Sequence, residues 1–285
     1  MGSLVGKVAV ITGSSRGLGY AIAETYAREG AAVVLSARGA STLDEAVKAL
    51  AAKGYRVSGF TCDVGSLDQV RALADHAVKT FGRLDIWVNN AGVAGVFGPT
   101  VSIPVDRFER VVQTNILGTY YGSITALGYF LPQRSGKLIN LQGRGDDRAV
   151  PFQNAYGPSK TWIRSFTKAL AQEYADSGVG IYAFNPGLVD TDMLRQIDSI
   201  PGYEGRLKRF STVIQMWAND PDVPAERALW LASSATDGKT GLEVQVLNRG
   251  VVFRGIGRLI ASKLTRQPMR RDGTLNITLV PPNEP

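Results

Sequence analysis

The 285-residue sequence predicts an α/β fold in which about seven parallel strands form a doubly wound sheet flanked by helices. Short segments that are β-branched and apolar on both faces recur along the chain, as expected for parallel strands covered on two sides. Between them, apolar residues follow helical spacing, and Gly30, Gly54 and Gly82 stand where helices should end. Such alternating strands and helices build one parallel sheet through right-handed crossovers.

Seven segments are predicted to be its strands: Val8–Ile11, Ala32–Leu35, Val57–Thr61, Ile86–Asn89, Leu138–Leu141, Gly180–Phe184 and Val244–Leu247. Two helices begin with possible capping boxes, because Ser41 and Ser66 are followed three residues later by Asp44 and Gln69. No linker interrupts the pattern. We therefore expect residues 1–250 to form one domain with a substrate loop at about residues 188–220, and residues 251–285 to form a C-terminal extension.

Composition excludes several classes of protein. The hydrophobic fraction of 44% is too high for a disordered chain, and the chain has no run of about 18 apolar residues that would indicate a membrane span. A single cysteine, Cys62, and a single histidine, His76, argue against a disulfide framework, a metal centre and triad catalysis. The first strand starts too early to leave room for a secretory signal, so the expected location is cytoplasmic.

The net charge of +7 is concentrated in one segment. Residues 249–271 contain seven basic residues and no acidic one, whereas the rest of the chain contains 25 of each. A nucleic-acid-binding domain would spread such charge over a folded face, so no nucleic-acid partner is expected. A basic amphipathic segment could bind a membrane or an acidic partner, but packing across a partner subunit is the favoured interpretation.

A glycine-rich turn follows the first strand and opens a helix. Glycines at this spacing allow a tight turn, close approach of a pyrophosphate and close packing of the helix, whose N-terminus attracts anions. A plain strand–helix turn is the alternative interpretation. The candidate cofactor-binding residues are Gly13, Ser15, Arg16, Gly17, Leu18 and Gly19.

The end of the second strand indicates which dinucleotide binds. A site for NAD usually has an acidic residue there, which holds the ribose 2′-hydroxyl. Here the strand ends in Arg38 without a carboxylate, and Arg16 and Ser15 lie in the glycine turn. Because guanidinium groups suit a 2′-phosphate, NADP is the predicted cofactor. Alternatively, both arginines are solvated surface residues.

Further motifs make the chain resemble the short-chain dehydrogenase/reductase family over residues 5–250. They are Thr12–Gly19, Asp63-Val64, Asn89–Gly92, Asn115, Tyr156-x-x-x-Lys160 and Pro186-Gly187-x-Val189-x-Thr191, in the order of the family. The resemblance implies a Rossmann fold, and an NADP-dependent hydride transfer between the nicotinamide and a carbonyl/alcohol or imine/amine of a hydrophobic small molecule. It also implies a homodimer or homotetramer, formed through helices four and five.

The resemblance assigns roles to single residues. Asp63 and Val64 should contact the adenine, and Asn90, Ala91 and Gly92 should line the ribose and steady the sheet. Val189 and Thr191 should hold the nicotinamide carboxamide, and Pro186 and Gly187 of the same motif are also candidate cofactor-binding residues. Tyr156 is the expected acid or base. The Lys160 ammonium and the nicotinamide should lower the Tyr156 pKa, and Asn115 should anchor a water in a proton relay.

One catalytic residue of the family is missing. Its serine, thirteen positions before the tyrosine, is replaced by Gly143, and no Ser or Thr occurs between Ser135 and Ser159. Losing one oxyanion donor typically costs on the order of 10²–10³ in turnover. Gln142 or Arg144 could replace it, the substrate could be an imine, or the protein could be a non-redox NADP-binding or scaffold protein, or a cyclase/isomerase. The retained tyrosine, lysine and asparagine favour an active enzyme, in which Gly143→Ser should raise ketone reduction.

Three segments are expected to wall the substrate pocket, namely residues 93–99, 143–154 and 188–217. In the third, apolar side chains could form a mobile lid or ordinary core. Asp146 and Asp147 could form a second acid–base site, but a solvated charged loop is the favoured interpretation. In the extension, Ile256, Leu259, Ile260 and Leu264 share a helical stripe that Pro268 should end, and Leu275, Ile277 and Leu279 alternate like a half-buried strand.

Overall fold

A computed structural model describes residues 2–247, 250, 253, 255–257, 259, 264 and 271–283. Within these residues, seven strands form one parallel sheet in the order β3-β2-β1-β4-β6-β7-β9. The strands are β1 (Val8–Thr12), β2 (Ala32–Ala37), β3 (Val57–Thr61), β4 (Ile86–Asn89), β6 (Gly136–Leu141), β7 (Val179–Asn185) and β9 (Glu243–Gln245). The predicted doubly wound fold is confirmed, and each predicted strand agrees with an observed one to within two residues.

Helices cover both faces of this sheet. They are α1 (Gly17–Arg28), α2 (Ala40–Ala51), α3 (Leu67–Phe81), α4 (Val105–Val111), α5 (Gly118–Gln133), α6 (Tyr156–Glu173), α7 (Asp192–Arg195), α8 (Lys208–Trp217) and α9 (Asp222–Ala232). Alternate residues of each strand point to opposite faces, so Ala9 and Ile11 pack with α1, α2 and α9. Val8 and Val10 pack with α3 and α5 on the other face.

The helix ends agree only partly with the sequence patterns. Gly82 ends α3 with a φ of 85°, the left-handed conformation that favours glycine. The capping boxes are wrong. Helix α2 begins at Ala40, so Ser41 lies inside it, and Ser66 precedes α3 without a side-chain cap. The Gln69 side chain instead accepts a 2.8 Å hydrogen bond from the backbone N–H of Asp63.

A second sheet, which the sequence analysis did not predict, lies in the part of the chain that the structure describes. It contains three parallel strands in the order β10 (Asn276–Leu279), β8 (Gln196–Ser199) and β5 (Val96–Phe97). The strand at the C-terminal end is confirmed, but it is not half-buried, since Ile277 and Leu279 are 37% and 54% exposed. Val280 next to it is buried in a small cluster with Val96, Ile103 and Ile200.

The C-terminal residues 271–283 therefore pack on their own chain. Beyond β10, the backbone N–H of Asn283 donates a 2.9 Å hydrogen bond to the Ser102 carbonyl. In the predicted stripe, Ile256, Leu259 and Leu264 are helical, whereas Ile260, Pro268 and six of the seven basic residues lie outside the described residues. In the ranges described, no helix has the length and apolarity needed to cross a bilayer.

Candidate functional site

The glycine turn after β1 is shaped for close approach. Gly13 and Gly17 have φ values of 65° and 61°, and a Cβ atom on Gly13 would lie 2.8 Å from Ala91 Cα. A Cβ atom on Gly19 would lie 2.4 Å from both Asn90 Nδ2 and the Gly13 carbonyl oxygen. Gly13 and Gly19 of the glycine motif therefore leave no space for a side chain. This exposed backbone cradle opens α1, as a bound pyrophosphate requires.

Thr12 and Asn90 hold the turn in place. The Thr12 hydroxyl accepts hydrogen bonds from the backbone N–H groups of Asn90 and Ala91, both at 3.1 Å. Asn90 Nδ2 donates to the carbonyls of Thr12 and Gly13, at 2.8 and 3.0 Å. Asn90 therefore steadies the end of the sheet, as expected. Sequence reasoning did not single out Thr12, although the motif includes it.

The two arginines predicted to hold a 2′-phosphate differ in their surroundings. Arg16 donates a 3.1 Å hydrogen bond to Asp192 Oδ2, and the two side chains are 72% and 53% exposed. Arg38 is exposed, and it has no carboxylate partner in the described portion of the chain. Asp63 Oδ1 accepts from the Gly65 backbone N–H at 2.9 Å. The cation at the end of β2 is therefore free to bind an anion.

The second cofactor motif lies beside the glycine turn. Gly187 follows β7 with a φ of 72°, and Val189 forms a parallel bridge with Asn219. Thr191 Cγ2 lies 3.3 Å from the position of a Cβ atom on Gly17. The fold thus brings together motifs about 170 positions apart in the chain. Pro186 is buried beneath this loop, and Leu18 packs against the core.

Tyr156 and Lys160 lie on the first turn of α6. Lys160 is buried, and its Nζ donates a 3.2 Å hydrogen bond to the Leu141 carbonyl and lies 5.5 Å from the centroid of the Tyr156 ring. Burial lowers the pKa of Lys160 to about 8. Burial and, to a lesser extent, the Asp146 carboxylate raise the pKa of Tyr156 to about 12, while Arg144 opposes this rise. In the protein without its cofactor, desolvation therefore outweighs the Arg144 cation, and the lowering expected with Lys160 and a bound nicotinamide stays a prediction.

Asn115 lies in a π-helical segment, Val112–Leu117, between α4 and α5. Such segments are frequent at functional sites. Its Oδ1 accepts from the Val93 backbone N–H at 2.9 Å, and its Nδ2 donates to the Val93 carbonyl at 3.0 Å and to Ser159 Oγ at 3.1 Å. A Cβ atom on Gly92 would lie within 4 Å of both Asn115 and Lys160 Nζ. The three predicted catalytic side chains are thus neighbours, and Ser159 is a partner that sequence reasoning missed.

The space of the missing serine is occupied. A Cβ atom on Gly143 would lie 2.5 Å from the Tyr156 hydroxyl and 3.5 Å from Lys160 Cε. Gly145 has a φ of 99°, and its Cβ would lie 2.6 Å from Gly157 Cα. The two glycines let the loop after β6 pack directly on the start of α6. At Gly143, the Tyr156 phenol therefore lies against backbone that carries no side chain.

Asp146 is buried, at 4% exposure. Its Oδ2 accepts a 2.8 Å hydrogen bond from Asn185 Nδ2, and Asn185 Oδ1 accepts from the Gly187 backbone N–H at 2.9 Å. Burial raises the pKa of Asp146, while the Asn185 hydrogen bond lowers it. The interpretation as a solvated loop is correct for the exposed Asp147 and wrong for Asp146. Asn185 was also missed, although it directly precedes the Pro186-Gly187 motif.

Two candidate donors flank Gly143. Gln142 is 3% exposed, and its Nε2 has no hydrogen-bond partner within the described residues. Arg144 is exposed, and its guanidinium lies 5.7 Å from the centroid of the Phe210 ring on α8. The same guanidinium lowers the pKa of Tyr156. Arg144 thus contacts α8 and also acts electrostatically on the Tyr156 phenol.

The three expected pocket walls meet in a cluster of rings. Phe152 lies 5.6 Å from Phe97 and 5.5 Å from Tyr203 between ring centroids, and the Arg206 guanidinium lies 4.7 Å above Phe152. The apolar residues of the third wall divide between the two interpretations. Met216 is buried, whereas Met193 is 46% exposed. Residues 188–217 therefore contribute some apolar side chains to the core and leave others exposed to solvent.

Comparisons with known proteins agree with this geometry. A family model described as short chain dehydrogenase matches residues 7–201. A diacetyl reductase ((S)-acetoin forming) of Staphylococcus epidermidis is 34% identical over 257 residues, which cover 87% of this chain and 99% of the relative. A 3beta-hydroxysteroid dehydrogenase 1 of Eggerthella lenta is also 34% identical, over 84% of this chain and 91% of its own length.

Solved structures share the fold. Actinorhodin polyketide ketoreductase with NADPH has a TM-score of 0.78 and 28% identity, covering 88% of this chain and 99% of the other. The 3-ketoacyl-(acyl-carrier-protein) reductase from Brucella melitensis complexed with NADH has a TM-score of 0.76 and 29% identity, covering 86% and 98%. With its motifs in place on this sheet and the family model matched over residues 7–201, the chain belongs to the short-chain dehydrogenase family of oxidoreductases.

Proposed function

We propose that the protein is an NADP-dependent oxidoreductase that reduces a carbonyl or imine of a hydrophobic small molecule, or oxidises the corresponding alcohol or amine. The observation that carries the proposal is the contact between Tyr156, Lys160 and Gly143 at the open end of the sheet, next to the glycine cradle. Ligands of such sheets bind outside the carboxyl ends of the strands.

The cradle suits a dinucleotide because Gly13 and Gly19 allow the turn to pack tightly on Ala91 and Asn90, where a side chain would clash and displace the backbone. The backbone of the turn would hold the pyrophosphate, and Arg38 with Arg16 would hold a 2′-phosphate. Arg16 would then exchange Asp192 for the phosphate. Val189 and Thr191 would lie along the nicotinamide, which supplies the hydride when bound.

Tyr156 supplies the proton in reduction. With a pKa of about 12, its phenol is protonated at neutral pH and can donate to a developing alkoxide or amine. For oxidation the phenolate is needed, and the Lys160 ammonium favours it. Lys160 is largely protonated below its pKa of about 8. Asn115 braces Val93 and Ser159 beside that ammonium, which supports its place in a proton relay.

Arg144 is the favoured substitute for the serine donor. Its guanidinium lowers the pKa of Tyr156, lies 5.7 Å from the centroid of the Phe210 ring, and has no ion-pair partner among the residues that the structure describes. A cation there would stabilise the negative charge that develops on a substrate oxygen. The buried Nε2 of Gln142 is a second free donor. Both remain proposals.

Turnover of NADPH with ketones, quinones and cyclic imines tests this function. Tyr156→Phe should lower kcat by about 10²–10⁴, the range for one proton-transfer group. Tyr129→Phe is the matched control, since Tyr129 hydrogen-bonds Asp75 on α3. If the wild type binds NADPH but reduces none of the substrates, and Tyr156→Phe keeps the cellular role, the non-redox binding or scaffold alternative is correct.

We also propose that the protein is a homodimer or homotetramer. Exposed apolar side chains on α4 and α5, including Val105, Phe108 and Tyr120, support a subunit contact through these helices. Light scattering at micromolar concentration should give a dimer or tetramer mass, and a monomer mass would reject the proposal. The cytoplasmic location also stays a prediction.

A further inference from the structure

Residues 271–283, which we call the C-terminal strap, run from the loop of residues 188–191 past β8 to Ser102. At one end, Arg271 forms ion pairs with Asp190 and, at 2.8 Å, with Asp220. In the middle, β10 pairs with β8 over four residues. At the far end, Val280 is buried and Asn283 bonds Ser102. The strap thus contacts three separate parts of the fold.

Arg271 joins two neighbouring segments of the chain. The backbone N–H of Asp190 donates to the Asn219 carbonyl at 2.8 Å, and the N–H of Asn219 donates to Leu188 at the same distance. The Arg271 guanidinium donates to one carboxylate on each of these two segments, Asp190 and Asp220. Asp190 and Asp220 both carry negative charge and lie on the two paired segments. Without the Arg271 cation, less positive charge would offset the repulsion between them.

Arg195 completes the attachment. It contacts Asp190 through two nitrogen atoms, at 2.5 and 2.9 Å, and donates to the carbonyls of Asp272 and Thr274 in the strap. The Asp190 side chain is 16% exposed, and these arginines lower its pKa. Because the paired groups are mostly shielded from water, the contact is stronger than an exposed ion pair.

The strap also packs closely on the lid. Gly273 is buried against α8, where a Cβ atom would lie 2.4 Å from Ser211 Oγ and 2.8 Å from the Ser211 carbonyl oxygen. Asp190 stands between Val189 and Thr191, the two residues proposed for the nicotinamide. The strap therefore links residues 188–191, through Asp190, to α8, through Ser211.

We propose that Arg271 is a positioning residue that keeps residues 188–191 in the arrangement that receives the nicotinamide, so that the C-terminal strap sets cofactor affinity. The inference rests on the proposed function for the role of Val189 and Thr191. It does not depend on which substrate is reduced, because the arginine contacts the loop and not the reacting atoms.

The test compares Arg271→Gln and Arg271→Lys with wild type in the full chain. Arg271→Gln should weaken NADPH binding, measured by fluorescence titration, about tenfold, the scale of one charge-assisted hydrogen bond. The KM for NADPH should rise likewise, while kcat at saturating NADPH changes less than about twofold, as loss of uniform binding predicts. Arg271→Lys should recover part of the affinity. In Asp190→Asn, the further substitution Arg271→Gln should cost less than it does alone.

Arg28→Gln is the matched control, because it removes a surface arginine that pairs with Glu226 between α1 and α9. Unchanged NADPH affinity in Arg271→Gln, or equal weakening in Arg28→Gln, would overturn the inference. Hydrogen exchange of residues 188–217 without cofactor separates it from the proposed function. If wild type binds no NADPH, that function fails. In that case, faster hydrogen exchange of residues 188–217 in Arg271→Gln would support the role of the strap in holding this segment, and unchanged exchange would reject that role.

Discussion

The cofactor side and the reaction side of this cleft are built differently. On the cofactor side, the glycine turn is held by Thr12 and Asn90, and each contact joins residues of the motifs themselves. On the reaction side, Gly143 and Asp146 owe their positions to α6 and to the end of β7. The first side retains the family pattern, and the second departs from it. The difference indicates that the motifs proposed for the cofactor are retained, while the polar groups of the loop after β6 differ from the pattern that the sequence resemblance implies.

Two amide side chains of the cleft, Asn90 and Gln142, differ in how their hydrogen-bond donors are satisfied. Both protons of Asn90 Nδ2 have backbone acceptors, so this amide is fixed before any ligand arrives. Among described residues, Gln142 Nε2 is buried without an acceptor. Leaving a buried donor unpaired costs on the order of 1–3 kcal/mol, which a ligand can relieve. Ser36 Oγ and Asn219 Nδ2, near the motifs proposed for the cofactor, are likewise buried without a partner among the described residues, so the difference is one between Asn90 and Gln142 and not between the two sides as a whole.

Gly143→Ser is expected to have the largest effect, because it adds a side chain on the reaction side of the cleft. The sequence alone suggests that Gly143→Ser raises ketone reduction, but the new Cβ would lie 2.5 Å from the Tyr156 hydroxyl. We now expect kcat to fall by about 10–10²-fold, because a displacement of about 1 Å can cost that much. Gly143→Ala separates crowding from hydroxyl chemistry in the same assay. Activity above wild type in the serine variant would show that the phenol can move aside.

On the cofactor side, Arg38→Ala should weaken NADPH binding by about 10–100-fold, the scale of charge-assisted hydrogen bonds to a phosphate. NADH affinity should stay within about twofold, since that cofactor has no 2′-phosphate. Titration by fluorescence measures both, with Arg28→Ala as a control for the loss of surface charge. Equal affinity of wild type for the two cofactors would reject the phosphate contact.

Gly145 and Gly54 offer a matched pair for stability. Both have positive φ, 99° and 81°, so alanine should cost roughly 1–2 kcal/mol at either position. Only Gly145 is also crowded, by the backbone of Gly157 at 2.6 Å, and overpacking adds about 1–3 kcal/mol. In urea unfolding, Gly145→Ala should therefore have a clearly lower free energy of unfolding than Gly54→Ala. Equal losses would show that the loop after β6 does not need its close contact with α6.

The smallest effect concerns pH. The Lys160 pKa of about 8 means that its ammonium is lost as pH rises through 8, so a rate that needs the ammonium should fall there. Asp146 raises this pKa, and Asp146→Asn should therefore move the break to lower pH. Asp147→Asn, at the exposed neighbour, is the control. A break that stays in place in Asp146→Asn would separate the buried carboxylate from the catalytic pair.

Most of the fold could be predicted because its signals are local. The β-branched segments from Val8 to Phe184 are apolar on both faces, and only parallel strands inside a covered sheet bury such segments well. Gly13, Gly17 and Gly19 are needed where backbone conformation and close approach exclude a side chain. Tyr156 and Lys160 share one helix face at a spacing of four residues. These requirements belong to a few adjacent residues, and sequence patterns therefore contain them.

The burial and charge pairing of the residues around Tyr156 and Asp190 could be seen only in the tertiary structure. A loop with two aspartates looks solvated in sequence, but Asp146 is buried because Asn185, 39 positions away, pairs with it. Similarly, Arg271 has no motif, and it matters because Asp190 and Asp220 lie against it. Desolvation, the cause of the high Tyr156 pKa, depends on every element packed around the phenol. Local patterns determine elements and backbone conformation, whereas burial and charge pairing depend on which distant segments the fold brings together.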